Sequence, residues 1–269
     1  MKRTSVLEFL EAFAPLSLAE DWDNVGLLLG DREGDISRVM TCLTLTPDVA
    51  EEALEEQVDL VVTHHPLLFR PVRKITTETS EGAMLLRLAG RGIAVYSPHT
   101  AFDSARQGIN QQWCERLELR KTQPLRPFAT MEDTGMPHGS GRAGDLAESV
   151  SLPRFLELVK TAIGIERLQF VGESSRHVGR VGVACGSAAE FLPEACSLGC
   201  DVLLTGEARF HACLEARALG MGLILPGHYA TERPAMEQMA QLLQQQFQDL
   251  KIWASQQESD PLQWDCDPE

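Results

Sequence analysis

Val58-Asp59-Leu60-Val61-Val62-Thr63-His64-His65-Pro66 runs from a buried-strand pattern straight into two adjacent imidazoles. Residues 58–62 are apolar and rich in β-branched side chains apart from Asp59, too short for a helix, and they follow a helix-like segment. The pattern predicts a parallel strand covered on both faces. The histidines then fall at its C-terminal end, the edge of an open α/β sheet where loops converge on a ligand crevice. Neutral imidazole is the commonest metal ligand. A lone histidine here would read as a strand cap or a surface residue. A tandem pair followed by a stiffening proline turns attention to metal binding.

Outward from this strand, the chain alternates in the same way. Residues 5–13 carry apolar side chains at helical spacing and stop near Pro15. Trp22-Asp23-Asn24-Val25-Gly26 is a polar turn leading into a short apolar strand, and residues 36–45 predict a second strand. Thr46-Pro47 supplies an N-cap and a proline at the first helical position, and Asp48, Glu51 and Glu52 complement the dipole of the helix that follows. A helix over 81–91 and a strand over 92–96 then deliver Ser97-Pro98-His99-Thr100-Ala101-Phe102-Asp103. Between 122 and 147 periodicity fails among prolines and Gly135, Gly139, Gly141 and Gly144, which predicts a boundary or long loop. Gly139-Ser140-Gly141-Arg142 reads there as a turn cluster rather than an anion cradle. A helix over 152–163 reopens the alternation, and much of the polar, acidic stretch 255–269 is expected to be mobile.

Composition bounds the function. At 269 residues and 43% hydrophobic, the chain can bury a sizeable core. A net charge of −15 and the lack of any basic run argue against nucleic acid as the main ligand. Seven cysteines (42, 114, 185, 196, 200, 213 and 266) show no C-x-x-C spacing and fit free thiols in a reducing cytosol better than disulfides or a zinc knuckle. No signal peptide and no membrane-length apolar run are visible, so a soluble, cytoplasmic protein without membrane partners is expected.

The chain also matches itself. At an offset of 142 residues Arg38-Val39 falls on Arg180-Val181, Ala53 on Ala195, Asp59 on Asp201 and Thr63 on Thr205. At an offset of 129, His99 with Asp103 falls on His228 with Glu232. In the second copy the histidine pair is replaced by Gly206-Glu207. A duplication would let strand ends from both halves face one cleft holding His64, His65, His99, Asp103, Glu207, His228 and Glu232. So many imidazoles and carboxylates suit two metal ions about 3.5–4 Å apart with a bridging carboxylate. If a helix begins near Gly227, His228 and Glu232 project from one face.

These residues resemble the Nif-three-like family, also labelled GTP cyclohydrolase I type 2. The likeness rests on Trp22-Asp23-Asn24-Val25-Gly26-Leu27, Thr63-His64-His65-Pro66-Leu67 with Phe69, and Pro98-His99-Thr100 with Asp103. It continues through Gly139-Ser140-Gly141-Arg142 with Gly144, Leu204-Thr205-Gly206-Glu207 with His211, and Gly227-His228 with Glu232. The resemblance implies a duplicated α/β fold, with two three-layer α/β/α domains and a dinuclear metal site in the cleft between them. The first unit is expected over 1–124, completed by 226–269, and the second over 125–225, a short form without the inserted module of longer relatives. The resemblance also implies a ring-shaped homohexamer. The implied metal ligands are His64, His65, Asp103, His228 and a bridging Glu232, with His65 and Asp103 on one metal and His64 and His228 on the other. His99 and Glu207 would stand behind the ligands or toward the substrate. Ala101-Phe102-Asp103, where many relatives have Asn-Leu-Asp, and Glu207, often Asp, depart from the family pattern without removing a ligand.

Mixed imidazole and carboxylate ligands without thiolate admit zinc, manganese, iron or nickel. The resulting expectation is a metal-dependent hydrolase of a nucleotide-like substrate, a purine nucleotide or another phosphoester, with His99 or Glu207 as general acid. The alternative is a non-catalytic metal-binding or protein-interaction scaffold.

Overall fold

The computed structural model describes residues 1–128 and 138–265, so Gly135 and Cys266 lie outside the described residues. The first half runs α1 (Arg3–Phe13), β1 (Gly26–Leu29), β2 (Arg38–Cys42), α2 (Pro47–Glu55), β3 (Leu60–Thr63), α3 (Ser80–Gly90), β4 (Ala94–Ser97), α4 (His99–Ser104) and α5 (Ile109–Arg116). The remainder runs β5 (Arg120–Gln123), β6 (Arg126–Pro127), β7 (Gly139–Ser140), β8 (Arg142–Ser151), α6 (Leu152–Ile163), β9 (Gln169–Val171) and β10 (His177–Val183). It continues with α7 (Leu192–Ser197), β11 (Val202–Leu204), α8 (Phe210–Ala218), β12 (Gly222–Leu225), α9 (His228–Gln246) and β13 (Lys251–Ala254). The expected helices and parallel strands are present, including the quoted strand as β3, all four of whose residues are buried.

Among the described residues two large sheets form, in the orders β1-β4-β3-β2-β13 and β5-β8-β10-β11-β12-β9, beside a two-stranded ladder of β6 and β7. Their centres repeat one another. Val39 pairs with Leu60 in parallel, and Val181 pairs with Val202, so the register is preserved across the 142-residue offset. An antiparallel strand closes one side of each trio, β1 on β4 and β9 on β12. The acids at the repeat positions do the same work. Asp59 Oδ2 accepts from the backbone N–H of Ser37 and Arg38 at 2.7 and 2.9 Å, and Asp201 Oδ2 from those of Gly179 and Arg180 at 2.7 and 2.9 Å. Alanine at either position leaves two strand-entry N–H groups without an acceptor. Each substitution is expected to cost about 1–3 kcal/mol, read as a lower urea midpoint. The two losses should be additive, because the sites lie in different sheets.

Helices cover both faces of each sheet. Val49, Ala53, Leu85 and Leu88 of α2 and α3 pack on the outer face of the first sheet, and Leu192, Ala195 and Ala216 of α7 and α8 on that of the second. Between the sheets one continuous core takes Leu7 and Leu10 of α1, Trp113 of α5, Phe155 of α6 and Met236 and Leu243 of α9. The architecture is therefore a duplicated three-layer α/β/α arrangement whose inner helices share one core. After α9 the chain returns to the first sheet, where β13 pairs in parallel with β2.

One expectation needs correction. The 122–147 stretch is not a long loop at its ends: β5 and β8 are paired strands of the second sheet, and Gly139–Ser140 pairs with Arg126–Pro127. β8 escapes notice because its outer half is exposed and polar. Its first residue, Arg142, is fully buried and donates to the carbonyls of Gly139, Gly141, Ser104 and Ala105 at 2.6 to 3.2 Å. The start of the acidic tail is tied down as far as Glu258. Buried Glu52 accepts from Trp253 Nε1, Ser255 Oγ and the N–H groups of Gln256 and Gln257, so this acid anchors the tail rather than serving the helix dipole alone.

Candidate metal centre

The sheet ladder continues one step past β3 and thereby fixes both histidines. His64 N–H donates to Cys42 O at 3.0 Å and His65 N–H to Leu43 O at 2.9 Å. The His64 side chain is 0% exposed, and both its ring nitrogens lack a hydrogen-bond partner. Burial pulls its pKa well below the ordinary value, against the attraction of Glu232.

α4 brings in the next two residues. His99 opens it with a φ of +25°, a strained value for a non-glycine residue. Asp23, shut off from solvent, sets the ring: its Oδ1 lies 2.8 Å from His99 Nδ1, and its Oδ2 accepts from the N–H and hydroxyl of Thr100 at 3.1 and 2.5 Å. Burial alone would raise the Asp23 pKa, but these bonds outweigh it and bring the value down to about 2. One turn on, Asp103 accepts from the Cys185 sulfhydryl at 3.3 Å and is pushed up to about 7 by burial and by the Glu232 carboxylate.

α9 begins at His228, as the spacing predicts, and carries Glu232 one turn later. Glu232 Oε2 lies 2.9 Å from His228 Nε2 and 3.0 Å from His65 Nε2, and those two nitrogens are 3.3 Å apart. Glu232 Oε1 faces His64 Nε2 at 3.9 Å, with Asp103 Oδ1 3.6 Å from that same nitrogen. The side chains therefore pair otherwise than expected, with His65 beside His228 and His64 beside Asp103. Burial would raise the Glu232 pKa, but the surrounding imidazoles hold the carboxylate well below its usual range. His228 is pulled down by burial yet raised to about 9 by Glu232 and Glu207.

The donor set fits a divalent cation. N and O ligands about 2.0–2.2 Å from a metal stand about 3–3.5 Å apart, near the separations seen around Glu232. His64 Nε2 is a buried ring nitrogen without a hydrogen-bond partner, and its 3.6 and 3.9 Å neighbours are too distant for hydrogen bonds. The ligand atoms of His65, His228 and Glu232 all lie within 4.8 Å of one another, as do those of His64, His65 and His99.

Residues around the cluster orient it. Thr44 Oγ1 lies 2.7 Å from His65 Nδ1, and Glu207 Oε1 lies 3.1 Å from His228 Nδ1. Such partners fix the tautomer and direct Nε2 inward. Asn110 accepts from Cys185 N–H and donates to Asp103 O. A 430 Å³ cavity opens onto His99, Asp103 and Glu232. Glu207 does not line it and faces a separate 530 Å³ opening with His228 and the C-terminal tail. His211 is exposed beside Phe210.

The roles of Asp23, Thr44, Cys185, Arg233 and Glu258 were missed in the sequence. Only Asp23 carried a signal, in its place between Trp22 and Asn24. Glu258 accepts from the N–H groups of Leu43 and Thr44 at 2.9 and 2.6 Å and pairs with Arg233 Nε at 2.8 Å, its side chain 4% exposed. Glu258→Ala is expected to cost about 3 kcal/mol, because the buried Arg233 guanidinium loses its shorter carboxylate contact, keeping Ser255 O at 2.9 Å and the exposed Glu237 at 3.4 Å. It should also loosen the Thr44 contact to His65. A lower melting temperature together with weaker metal retention would report both.

Among the described residues no helix is long and apolar enough to cross a membrane. The profile of the Duf34/NIF3 (NGG1p interacting factor 3) family matches residues 1–261. A Clostridium acetobutylicum protein called GTP cyclohydrolase 1 type 2 homolog is 34% identical over 244 residues, spanning 91% of this chain and 90% of its own. The Schizosaccharomyces pombe protein NIF3 homolog is 32% identical over 260 residues, spanning 91% of each. Among solved structures, reduced HcgD from Methanocaldococcus jannaschii aligns with a TM-score of 0.81 at 30% identity, covering 95% of this chain and 98% of that one. A Bacillus cereus protein related to NIF3 reaches a TM-score of 0.91 at 22% identity, over 98% and 99% of the two chains, and speaks to the fold alone. With the histidine pair on one sheet edge, the His228–Glu232 pair on α9 and a family match over nearly the whole length, the chain belongs to the Duf34/NIF3 family.

Proposed function

We propose that this centre binds two divalent metal ions per chain and that the protein is a metal-dependent hydrolase of a nucleotide-like substrate, with a purine nucleotide as the first candidate. The observation that carries the reading is the convergence of His65, His99, Asp103, His228 and Glu232 on one cavity, with buried His64 behind it and Glu232 between two groups of nitrogen and oxygen donors. The metal ligands are then His64, His65, Asp103, His228 and Glu232. Divalent cations, when bound, activate water near neutral pH and polarise the group under attack.

The chain's own residues supply the rest. Asp23 holds His99 by Nδ1, which leaves the opposite nitrogen free to pass a proton to a leaving group in the cavity. Glu207, behind His228, orients that imidazole rather than meeting substrate in the main cavity. Zinc, manganese, iron and nickel all suit the donors. The reading extends to a cytoplasmic, ring-shaped homohexamer. It keeps the division into one unit over 1–124 completed by 226–269 and another over 125–225, with the boundary moved ahead of Arg120 so that β5 stays with its sheet.

The test is elemental analysis of wild type and of the His64→Ala/His228→Ala double variant, purified without added metal or a metal-binding tag. About two metals per chain, falling in the variant, is the expected outcome, followed by turnover of nucleotides or phosphoesters that tracks occupancy. Negligible metal, unrecovered on reconstitution, would sink the reading. Bound metal without turnover would favour the scaffold.

A further inference from the structure

The loop between β3 and α3 carries positive charge without a counter-charge. In Phe69-Arg70-Pro71-Val72-Arg73-Lys74-Ile75 three cations fall within five residues, on a chain whose net charge is −15. All seven residues are exposed, and Phe69, Val72 and Ile75 keep 48%, 43% and 46% of their surface in solvent. Among the described residues no hydrogen bond or ion pair engages the side chains of Arg70, Arg73 or Lys74. The loop is nevertheless held at both ends. Buried Leu67 anchors its start, Leu68 O accepts from Asn24 Nδ2 at 2.6 Å, and Thr79 caps α3 by accepting from Gly82 N–H at 3.1 Å. Cations interleaved with exposed apolar side chains mark a contact surface. A bare phosphate chain would neutralise the charges and leave the three apolar residues wet.

The C-terminal segment has the opposite character. Asp260-Pro261-Leu262-Gln263-Trp264-Asp265 sets two carboxylates around Leu262 and Trp264, which are 71% and 55% exposed. Neither carboxylate forms an ion pair among the described residues. The segment is fixed across the tail-side opening of its own copy. Tyr229 Oη donates to Glu258 O at 3.2 Å, Asp260 and Leu262 line the 530 Å³ opening, and Arg167 Nη1 donates to Asp265 O at 3.2 Å. Among the described residues no hydrogen bond or ion pair joins it to the 69–75 loop of the same chain. The acids and apolar side chains it exposes are therefore open to another copy.

We infer that the 69–75 loop of one copy seats the 260–265 segment of a second copy, with Arg70, Arg73 and Lys74 meeting Asp260 and Asp265 and the apolar side chains of both segments packed between them. The charges set encounter and register, and burial of the apolar side chains supplies the attraction. Loop and tail are different surfaces, so the contact either is made twice about a two-fold axis or passes from copy to copy around a ring. Phe69 also lines the 430 Å³ cavity. The seated tail thus stands at the cavity mouth, and a second copy borders each site. This contact needs neither the metal ions nor the reaction proposed above.

The test is a charge exchange in the full-length protein as purified, read by sedimentation velocity. Arg70→Glu/Arg73→Glu/Lys74→Glu and Asp260→Lys/Asp265→Lys are each expected to sediment as a smaller species than wild type, with unchanged far-ultraviolet circular dichroism. Mixed one to one, the two variants should reassemble, because each reversed loop meets a reversed tail and each native loop a native tail. Trp264→Ala, which leaves every charge and backbone bond in place, should weaken assembly at least about tenfold. Retention of wild-type mass by either charge variant, a mixture that stays apart, wild-type assembly in Trp264→Ala, or a wild type that sediments as a single chain would overturn the contact. Inorganic triphosphate bound by wild type and lost from the loop variant, with assembly intact in both, would also overturn it and mark the loop as a polyanion site. Elemental analysis of the same samples scores the metal reading separately.

Discussion

Glu232→Ala is expected to lose its bound metal and every activity that depends on it while keeping its fold. The carboxylate is 5% exposed and meets His65 and His228 through one oxygen while facing His64 through the other. Removing it takes away the carboxylate that lies between both sets of nitrogens. Removing a partner that merely orients a ligand costs about 10–100-fold in metal affinity, and a direct ligand costs more. The helix should survive, because alanine is the best helix former and the position lies within α9. Elemental analysis and size-exclusion chromatography on the same sample separate loss of metal from loss of fold. Unchanged turnover in this variant would remove Glu232 from the mechanism.

Gly186→Ala should damage the same carboxylate without touching it chemically. Gly186 has a φ of +66°, and a Cβ built there would sit 2.2 Å from Glu232 Oε1 and 3.3 Å from His228 Nε2. The backbone has little room to retreat. Its N–H donates to Thr231 Oγ1 at 3.2 Å, and its carbonyl accepts from Glu207 N–H at 3.0 Å and Thr205 Oγ1 at 3.1 Å. The left-handed conformation costs an alanine about 1–2 kcal/mol, and Glu232 must swing away from its imidazoles. Metal affinity is expected to fall by about 10–100-fold, measured by calorimetric titration of stripped protein with a single divalent metal. Wild-type affinity in this variant would show that Glu232 has slack, or that it is not a ligand.

The parallel strands were legible because burial on both faces writes an unbroken apolar run, as in Leu60–Thr63. The tandem His64-His65 and the i,i+4 pair His228 and Glu232 were legible because their spacing is local. β8 was not, since a strand with an exposed outer half reads as polar irregular chain. Neither was Glu258, whose partners Leu43 and Thr44 lie 215 and 214 residues away. The sorting of His65 with His228 was equally hidden, because the approach of two strand ends from different halves sets it. The 142-residue match came closest to showing the tertiary structure, because Asp59 and Asp201 hold equivalent backbone groups.

The return of the chain from α9 to β13 bears on the order of events during synthesis. Every strand of the second sheet lies between Arg120 and Leu225, whereas the first sheet lacks its edge until residues 251–254 have been made. Domains commonly fold from the N-terminus as they emerge from the ribosome. Here the half that emerges first is completed last. Until Ile252 pairs with Val39, β2 presents an open edge to its surroundings, and that edge is covered only after every strand of the second sheet has been made.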